Sequence, residues 1–157
     1  MKIDIDNLDS TYRLCEISGK FRITNEIDME LVKSKKLVSE LGLAFIMEKA
    51  KGISRDSPDW TFVFRDYYEA LRGLMEALLL FDRIVSDNHQ CMNSYICINH
   101  PEMGLDWEFL EIARLRRNRI NYRGQLVSYD EWHGLKLKFE LHIAAIVRAI
   151  DAKIKDK

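Results

Sequence analysis

Apolar residues recur along this chain at helical spacing, and polar caps, glycines and prolines divide the pattern into segments. The first covers 5–18, where Leu8, Tyr12 and Cys15 fall about a turn apart and Gly19 stops the run. Asn25 is the expected N-cap of a second helix, with Asp28 three residues on to interact with the free amides of its first turn. Ile27, Leu31, Leu37, Leu41, Phe45 and Ile46 trace its apolar stripe, with Glu30, Lys33, Lys36, Glu40 and Lys49 largely off it, until Gly52. Ser57-Pro58-Asp59 combines an N-cap, a proline at the first helical position and an acid at the positive end of the dipole. The third helix should run from there to about Val85. Phe62, Phe64, Tyr67, Tyr68, Leu71, Leu74, Met75, Leu78, Leu79 and Phe81 cover much of its circumference. A helix apolar nearly all round belongs at the centre of a bundle or in an interface between copies.

Asp87 with Gln90 predicts a short fourth helix ending before Pro101, and Asp106 caps another that runs to about Arg123 and stops at Gly124. Ser128 and Glu131 form a capping box for the last helix, whose core stripe is Trp132, Leu135, Phe139, Ile143, Ile146 and Ile150. No segment alternates with a two-residue period, no repeat occurs and no linker divides the chain. The pattern predicts an all-α, antiparallel up-and-down bundle of four to six helices, one domain over 1–157.

Composition adds little direction. Apolar residues make up 47% and charged residues 31%, the balance of an ordinary folded domain, and the formal net charge of −1 gives no global attraction to nucleic acid or membrane. Any such affinity must be local. Cys15, Cys91 and Cys97 show no CxxC or Cys/His metal spacing, and they read as free thiols, Cys91 and Cys97 buried as small hydrophobes, which suits a reducing cytosol. The N-terminal stretch from Met1 to Asp6 has no apolar signal core, and the run from Ala77 to Phe81 is far short of the ~20 residues a membrane span needs. A cytoplasmic protein away from the membrane is expected, with no cofactor and no metal.

Local charge is concentrated in the fifth segment. Residues 111–123 hold five arginines against one acid, Glu111. At about 100° per residue, Arg114, Arg117, Asn118, Asn121 and Tyr122 share an arc of about 140°. Guanidinium forks bind phosphate bidentately, and Asn and Tyr add orientable donors and acceptors, so the face suits RNA or a nucleotide. The plainer alternative is a solvated cationic face complementing the negative end of its helix.

The run Arg117-Asn118-x-x-x-Tyr122-x-Gly124 resembles the signature of HEPN domains, specifically small prokaryotic HEPN proteins. Tyr67-Tyr68 through Leu78 is similar to the family's tyrosine- and leucine-rich helix, Asn88-His89 to the opening of its next helix, and the resemblance covers about 22–150. It implies a bundle that dimerises with the motif facing a cleft between subunits. Many HEPN proteins are metal-independent endoribonucleases in toxin–antitoxin or defence systems, often beside a nucleotidyltransferase-like partner; others bind RNA or nucleotide without turnover. Active members carry a His four to six residues after the Arg. Here that position is Tyr122, and no His occurs between 101 and 132. Tyrosine titrates near about 10 against about 6.5 for histidine, so the general acid–base is missing while Arg117 and Asn118 can still hold phosphate.

Among the other histidines, His89 opens a helix at a family position and joins the candidate ligand residues. His142 lies on the last helix's core stripe, His133 is expected exposed, and His100 is expected in a loop. Acid pairs such as Asp4/Asp6 and Asp82/Asp87 read as caps and solvated faces. Three functions stay open: a homodimeric RNA- or nucleotide-binding module, an endoribonuclease in which Tyr122 or His89 replaces the missing His, and a helical interaction scaffold. The homodimer is expected to form through the apolar surplus of the third helix.

Overall fold

The computed structural model describes residues 4–156, so Met1 to Ile3 of the N-terminal stretch and Lys157 lie outside the described residues. Its helices are α1 (Leu8–Ile17), α2 (Met29–Ala50), α3 (Trp60–Phe81), α4 (His89–Asn99), α5 (Trp107–Arg123) and α6 (Tyr129–Lys155). A 3-10 turn over Pro101–Met103 follows α4. Two short strands, β1 (Arg22–Ile23) and β2 (Ile84–Val85), pair antiparallel with Arg22 opposite Val85. The architecture is an all-α bundle with this one small ribbon at its edge.

Local side chains set most helix ends. Asn7, Asp28, Asn88, Asp106 and Ser128 each accept the backbone N–H three residues on. Gly124 closes α5 in the left-handed region at φ 61°, where a Cβ would be strained. Two expected caps move. Asn25 does not open α2, because the chain is still tied into the ribbon there: Thr24 N–H reaches the Arg83 carbonyl, and the cap passes to Asp28. Asp87 yields to Asn88 at the start of α4. The Ser57 hydroxyl accepts from Asp59 N–H, so α3 begins at Trp60 behind Asp59. It ends at Phe81 rather than near Val85, since Arg83 turns to φ 60° and Ile84–Val85 enter the ribbon.

Helix α3 is the centre of the core. Buried residues run from Trp60 to Leu80, and α2, α4, α5 and α6 all pack on it. The apolar surplus expected to need a second copy is therefore covered within one chain. From α6, Trp132, Phe139, Ile143, Ile146 and Ile150 point inward as the stripe predicts. Phe139 meets Phe64 and Phe109 edge-on, with ring centroids 5.4 and 5.0 Å apart, the geometry that aromatic quadrupoles favour.

Helix α2 departs from expectation. Val32, Ser39 and Ile46 are its buried residues, whereas Leu31, Leu37, Val38, Leu41 and Phe45 are 39–70% exposed. Of the expected stripe, Ile46 is buried, Ile27 precedes the helix, and the other four residues face solvent. The physical reason lies at Gly73 on α3, where a Cβ would collide with the Ser39 hydroxyl. The two helices approach closely at this small pair, and that contact turns the row through Ser39 inward.

Cys15 and Cys91, expected as free thiols, are joined by a disulfide between α1 and the first turn of α4; Cys97 is free and half-buried. The inference from free thiols to a reducing compartment falls with that bond. No helix among the described residues is long and apolar enough to cross a membrane. His142 is buried as expected, its Nε2 accepting Asp106 N–H at 2.9 Å. His100 is not in an open loop: it is buried at the end of α4, 2.6 Å from Asp82, which also accepts from the Tyr95 hydroxyl and so is not a solvated acid.

Two outcomes follow from these interactions. The disulfide closes a separation of 76 residues, and Cys91→Ser should lower the free energy of unfolding in urea by about 2–4 kcal/mol; an unchanged midpoint would mean that the bond adds nothing to the stability of the fold. The Asp82–His100 pair should make stability depend on pH. The hydrogen bond to Asp82 holds the His100 pKa above 6.5 although burial opposes it. Burial pushes Asp82 upward, but the hydrogen bond and charge of His100 bring it below 3.8. The His100 contribution is complete below 6.5 and lost as pH rises through the raised folded value. That of Asp82 is complete above 3.8 and lost as pH falls through the lowered one. The stability difference between wild type and His100→Gln should therefore peak between about pH 4 and 6.5.

Candidate functional site

The basic helix does not present its arginines to solvent as a set. Glu111, 1% exposed, accepts a two-pronged hydrogen bond from Arg114 at 2.9 and 2.8 Å, together with Asn93 at 2.9 Å and Gln90 at 3.0 Å. A carboxylate this deep is tolerable only with such a complement of donors. Arg116 is buried against the loop after α5, donating to Glu131, to the Gln125 side chain and to the Leu126 carbonyl. Arg117 turns toward α3, its Nε 3.2 Å and its terminal nitrogen 3.0 Å from Glu69 Oε1. Of the five arginines, Arg119 and Arg123 alone make no ion pair among the described residues. Carboxylates from elsewhere, Glu131 and Glu69, thus offset about half of the +4 surplus.

What replaces the expected open face is a network on α3, α4 and α5. Glu69 is shared: Arg117 takes Oε1 and Arg72 takes Oε2 at 2.8 Å. Arg72 also reaches His89 Nε2 at 3.0 Å with one terminal nitrogen. Its Nε lies 3.4 Å from Glu76 Oε1 yet is buried with no aligned hydrogen-bond acceptor. Lys35 on α2 completes the network through Glu76 at 2.8 Å. Three cations, Lys35, Arg72 and Arg117, thus meet two carboxylates, Glu69 and Glu76. Beneath them the Arg117 guanidinium lies 5.6 Å from the centre of the Tyr68 ring, within cation–π range. Burial first, eased by Arg117, Arg114 and Arg72, pushes the Tyr68 hydroxyl up to about 12, so it stays a neutral phenol.

His89 is the one imidazole in the network. A guanidinium can only donate, so His89 Nε2 accepts from Arg72 and the ring proton sits on Nδ1. Burial, reinforced by Arg72 and then Arg117, depresses the His89 pKa below 6.5. The ring is therefore neutral at pH 7.

The structure brings Arg117 and His89 of the sequence-chosen residues into one network. Arg114 is diverted to Glu111. Asn118 is half-buried and Asn121 exposed, and neither makes a side-chain hydrogen bond among the described residues. Tyr122 is 79% exposed, with no hydrogen bond to Arg117, so the two ends of the motif are not joined. Lys35, Tyr68, Glu69, Arg72 and Glu76 were not identified in the sequence. A signal was present: Arg65, Asp66, Glu69, Arg72 and Glu76 recur at helical spacing along a helix otherwise apolar.

Lys35, Glu69, Arg72 and Glu76 also line a groove of about 550 Å³ between α2 and α3, which gives the network access to solvent. Among the described residues, no group of three or more His, Cys, Asp or Glu side chains could hold a metal ion. Neither a protein-family model nor a curated protein sequence matches this chain.

His89 should titrate below 6.5 when followed by the NMR shifts of its ring protons, and Arg72→Ala should move that titration upward by removing the nearest cation. An unshifted His89 in that variant would separate the ring from the arginine network.

Proposed function

We propose that this chain is a homodimeric, HEPN-like protein that binds RNA or a nucleotide, in a toxin–antitoxin or defence setting. The observation that carries the reading is the shared carboxylate. Arg72 and Arg117 converge on Glu69 beside a neutral imidazole and over an aromatic ring, with one guanidinium nitrogen unmatched. A phosphate in the groove would take the place of Glu69 on guanidinium forks that are already oriented. Asn118, Asn121 and Tyr122 would extend the contact along α5. A cytoplasmic location goes with an RNA ligand, and a reducing cytoplasm would open the Cys15–Cys91 bond. A nucleotidyltransferase-like protein is the partner the family resemblance suggests.

One observation favours a second reading, a metal-independent endoribonuclease. His89 is a neutral base within the arginine network, and a phosphate that drew Arg72 away would free its Nε2 lone pair for proton transfer. Tyr122, out in solvent, is poorly placed for that work.

Incubation of the protein with a mixed RNA pool and with nucleotides, without added metal, tests both readings. Arg117→Ala should weaken binding by about tenfold or more, the cost of one charge-assisted hydrogen bond at a desolvated site, while Arg123→Ala should change it little. Equal losses would reduce the site to nonspecific charge. No binding at all would leave the interaction scaffold. RNA cutting by the wild type that disappears in His89→Ala would establish the enzyme.

A further inference from the structure

We propose that a second pocket, apart from the groove of Glu69 and Arg72, binds a small planar aromatic acid, with the ring among aromatic side chains and the carboxylate on donors left unpartnered by the chain. The pocket holds about 550 Å³ and lies where the end of α2 and the start of α6 flank the start of α3. It shares no lining residue with the other groove and depends on neither RNA nor nucleotide binding. Its volume is that of a small-molecule site. Four aromatic rings wall it. Tyr67 packs on Trp132 with centroids 4.4 Å apart, and Trp60 meets Tyr129 edge-on at 5.0 Å. Tyr129 is itself held in place, since His133 stacks on it at 5.3 Å and the Arg55 guanidinium lies 4.7 Å from its centre. On the α2 side Ala44 and Ala50 are too short to fill the space. Rings fixed by their neighbours make a slot that a flat ligand enters at little ordering cost.

Two polar groups in these walls are unmatched. Tyr67 is 3% and Trp132 2% exposed, yet neither the Tyr67 hydroxyl nor Trp132 Nε1 has a hydrogen-bond partner among the described residues. Trp60 and Trp107, by contrast, each donate Nε1 to a backbone carbonyl at 2.9 Å. Polar groups on residues this deep are ordinarily bonded, and an indole N–H can only donate, so the missing group is an acceptor. Burial first, then the charge of Glu140, holds the Tyr67 hydroxyl above 10, so it too keeps its proton to donate. Among the charged lining groups, Lys51 and Lys136 stand against Glu48 alone, which favours an anion. Lys51 pairs with Glu48 at 2.9 Å and Lys136 with Glu140 at 3.8 Å, but both pairs are exposed and cost little to exchange. A carboxylate accepts at both oxygens and donates at neither, so it matches two donors and two ammoniums. A quaternary ammonium, the usual guest of an aromatic cage, would leave the donors unmet.

Isothermal titration calorimetry of the full chain with indole-3-acetate and with 4-hydroxybenzoate tests the proposal. At least one acid should bind at one site per chain with a dissociation constant of about 100 μM or below, an ordinary efficiency for so small a ligand. Tyr67→Phe removes one hydroxyl and keeps the ring against Trp132, and it should weaken that binding about tenfold or more, the cost of a charge-assisted hydrogen bond. The double variant Lys51→Gln, Lys136→Gln, at two exposed positions, should weaken it as well. The matching amide of whichever acid binds should bind at least about tenfold more weakly, having lost the charge. No binding of either acid up to millimolar concentration would overturn the proposal, as would unchanged affinity in Tyr67→Phe or equal affinity for the amide. Displacement of the acid by AMP or by choline would also overturn it, giving the pocket to a nucleotide or to a cation. RNA binding is read separately on Arg117→Ala at the other groove, so either site can fail without the other.

Discussion

Helix α3 has almost no side left for water, and the rest of the molecule is arranged around that constraint. Its buried positions run from Trp60 to Leu80, so α2, α5, α6 and the start of α4 must all lie against it. Burying a large aliphatic or aromatic side chain is worth about 1.5–3 kcal/mol, and α3 offers more such groups than any other helix here. The one strip it leaves partly open carries Arg65, Asp66, Glu69, Arg72 and Glu76. These charges sit at the edge of a core, where water is scarce and neighbouring helices are close. Glu69, Arg72 and Glu76 are therefore tied to one another and to α2, α4 and α5. The candidate site is a consequence of the packing: the polar edge of the most buried helix is where long charged side chains from several elements must meet.

The same constraint explains why α5 disappoints as a free cationic surface. Arg114 and Arg117 lie on the shoulders of a helix half-embedded against α3 and α4, where an unpaired guanidinium would be costly. Each has a carboxylate supplied to it, Glu111 from its own helix and Glu69 from α3. Arg116, on the buried side, instead fastens the loop that leads into α6. A count of charge along the sequence registers the five arginines but not the acids that fold against them, since Glu69 is 48 residues from Arg117.

Much of the fold was legible because its signals are local. Asp106, Gly124 and Ser128 act within one turn of their own position, and the stripe from Trp132 to Ile150 is long enough to fix its inward face. Signals that depend on distant partners were not legible. Asn25 loses its cap to Asp28 because the far strand at Ile84–Val85, with the Arg83 carbonyl before it, holds the chain extended. The Cys15–Cys91 bond spans 76 residues without any spacing motif. Of the site, Arg117 and His89 were found from their local setting, whereas Arg72 and Glu69 were hidden in a helix whose apolar residues dominate its pattern.

Helix α2 shows the limit most clearly. Its sequence contains two rows at seven-residue spacing, Leu31–Val38–Phe45 and Val32–Ser39–Ile46, displaced from each other by about 100°. Hydrophobicity favours the first row for the core, since the second has a serine at its middle. Packing chooses the second, because Ser39 is the residue small enough to stand against Gly73 where the backbones of α2 and α3 draw together. Close approach lets Val32 and Ile46 on either side bury fully, and dispersion attraction along a tightly joined pair of helices outweighs one buried hydroxyl. The more apolar row is thereby turned outward. Its exposure is the by-product of a steric choice made on the opposite side of the helix, and it leaves the bundle with an unmatched apolar surface beside the charged network of α3.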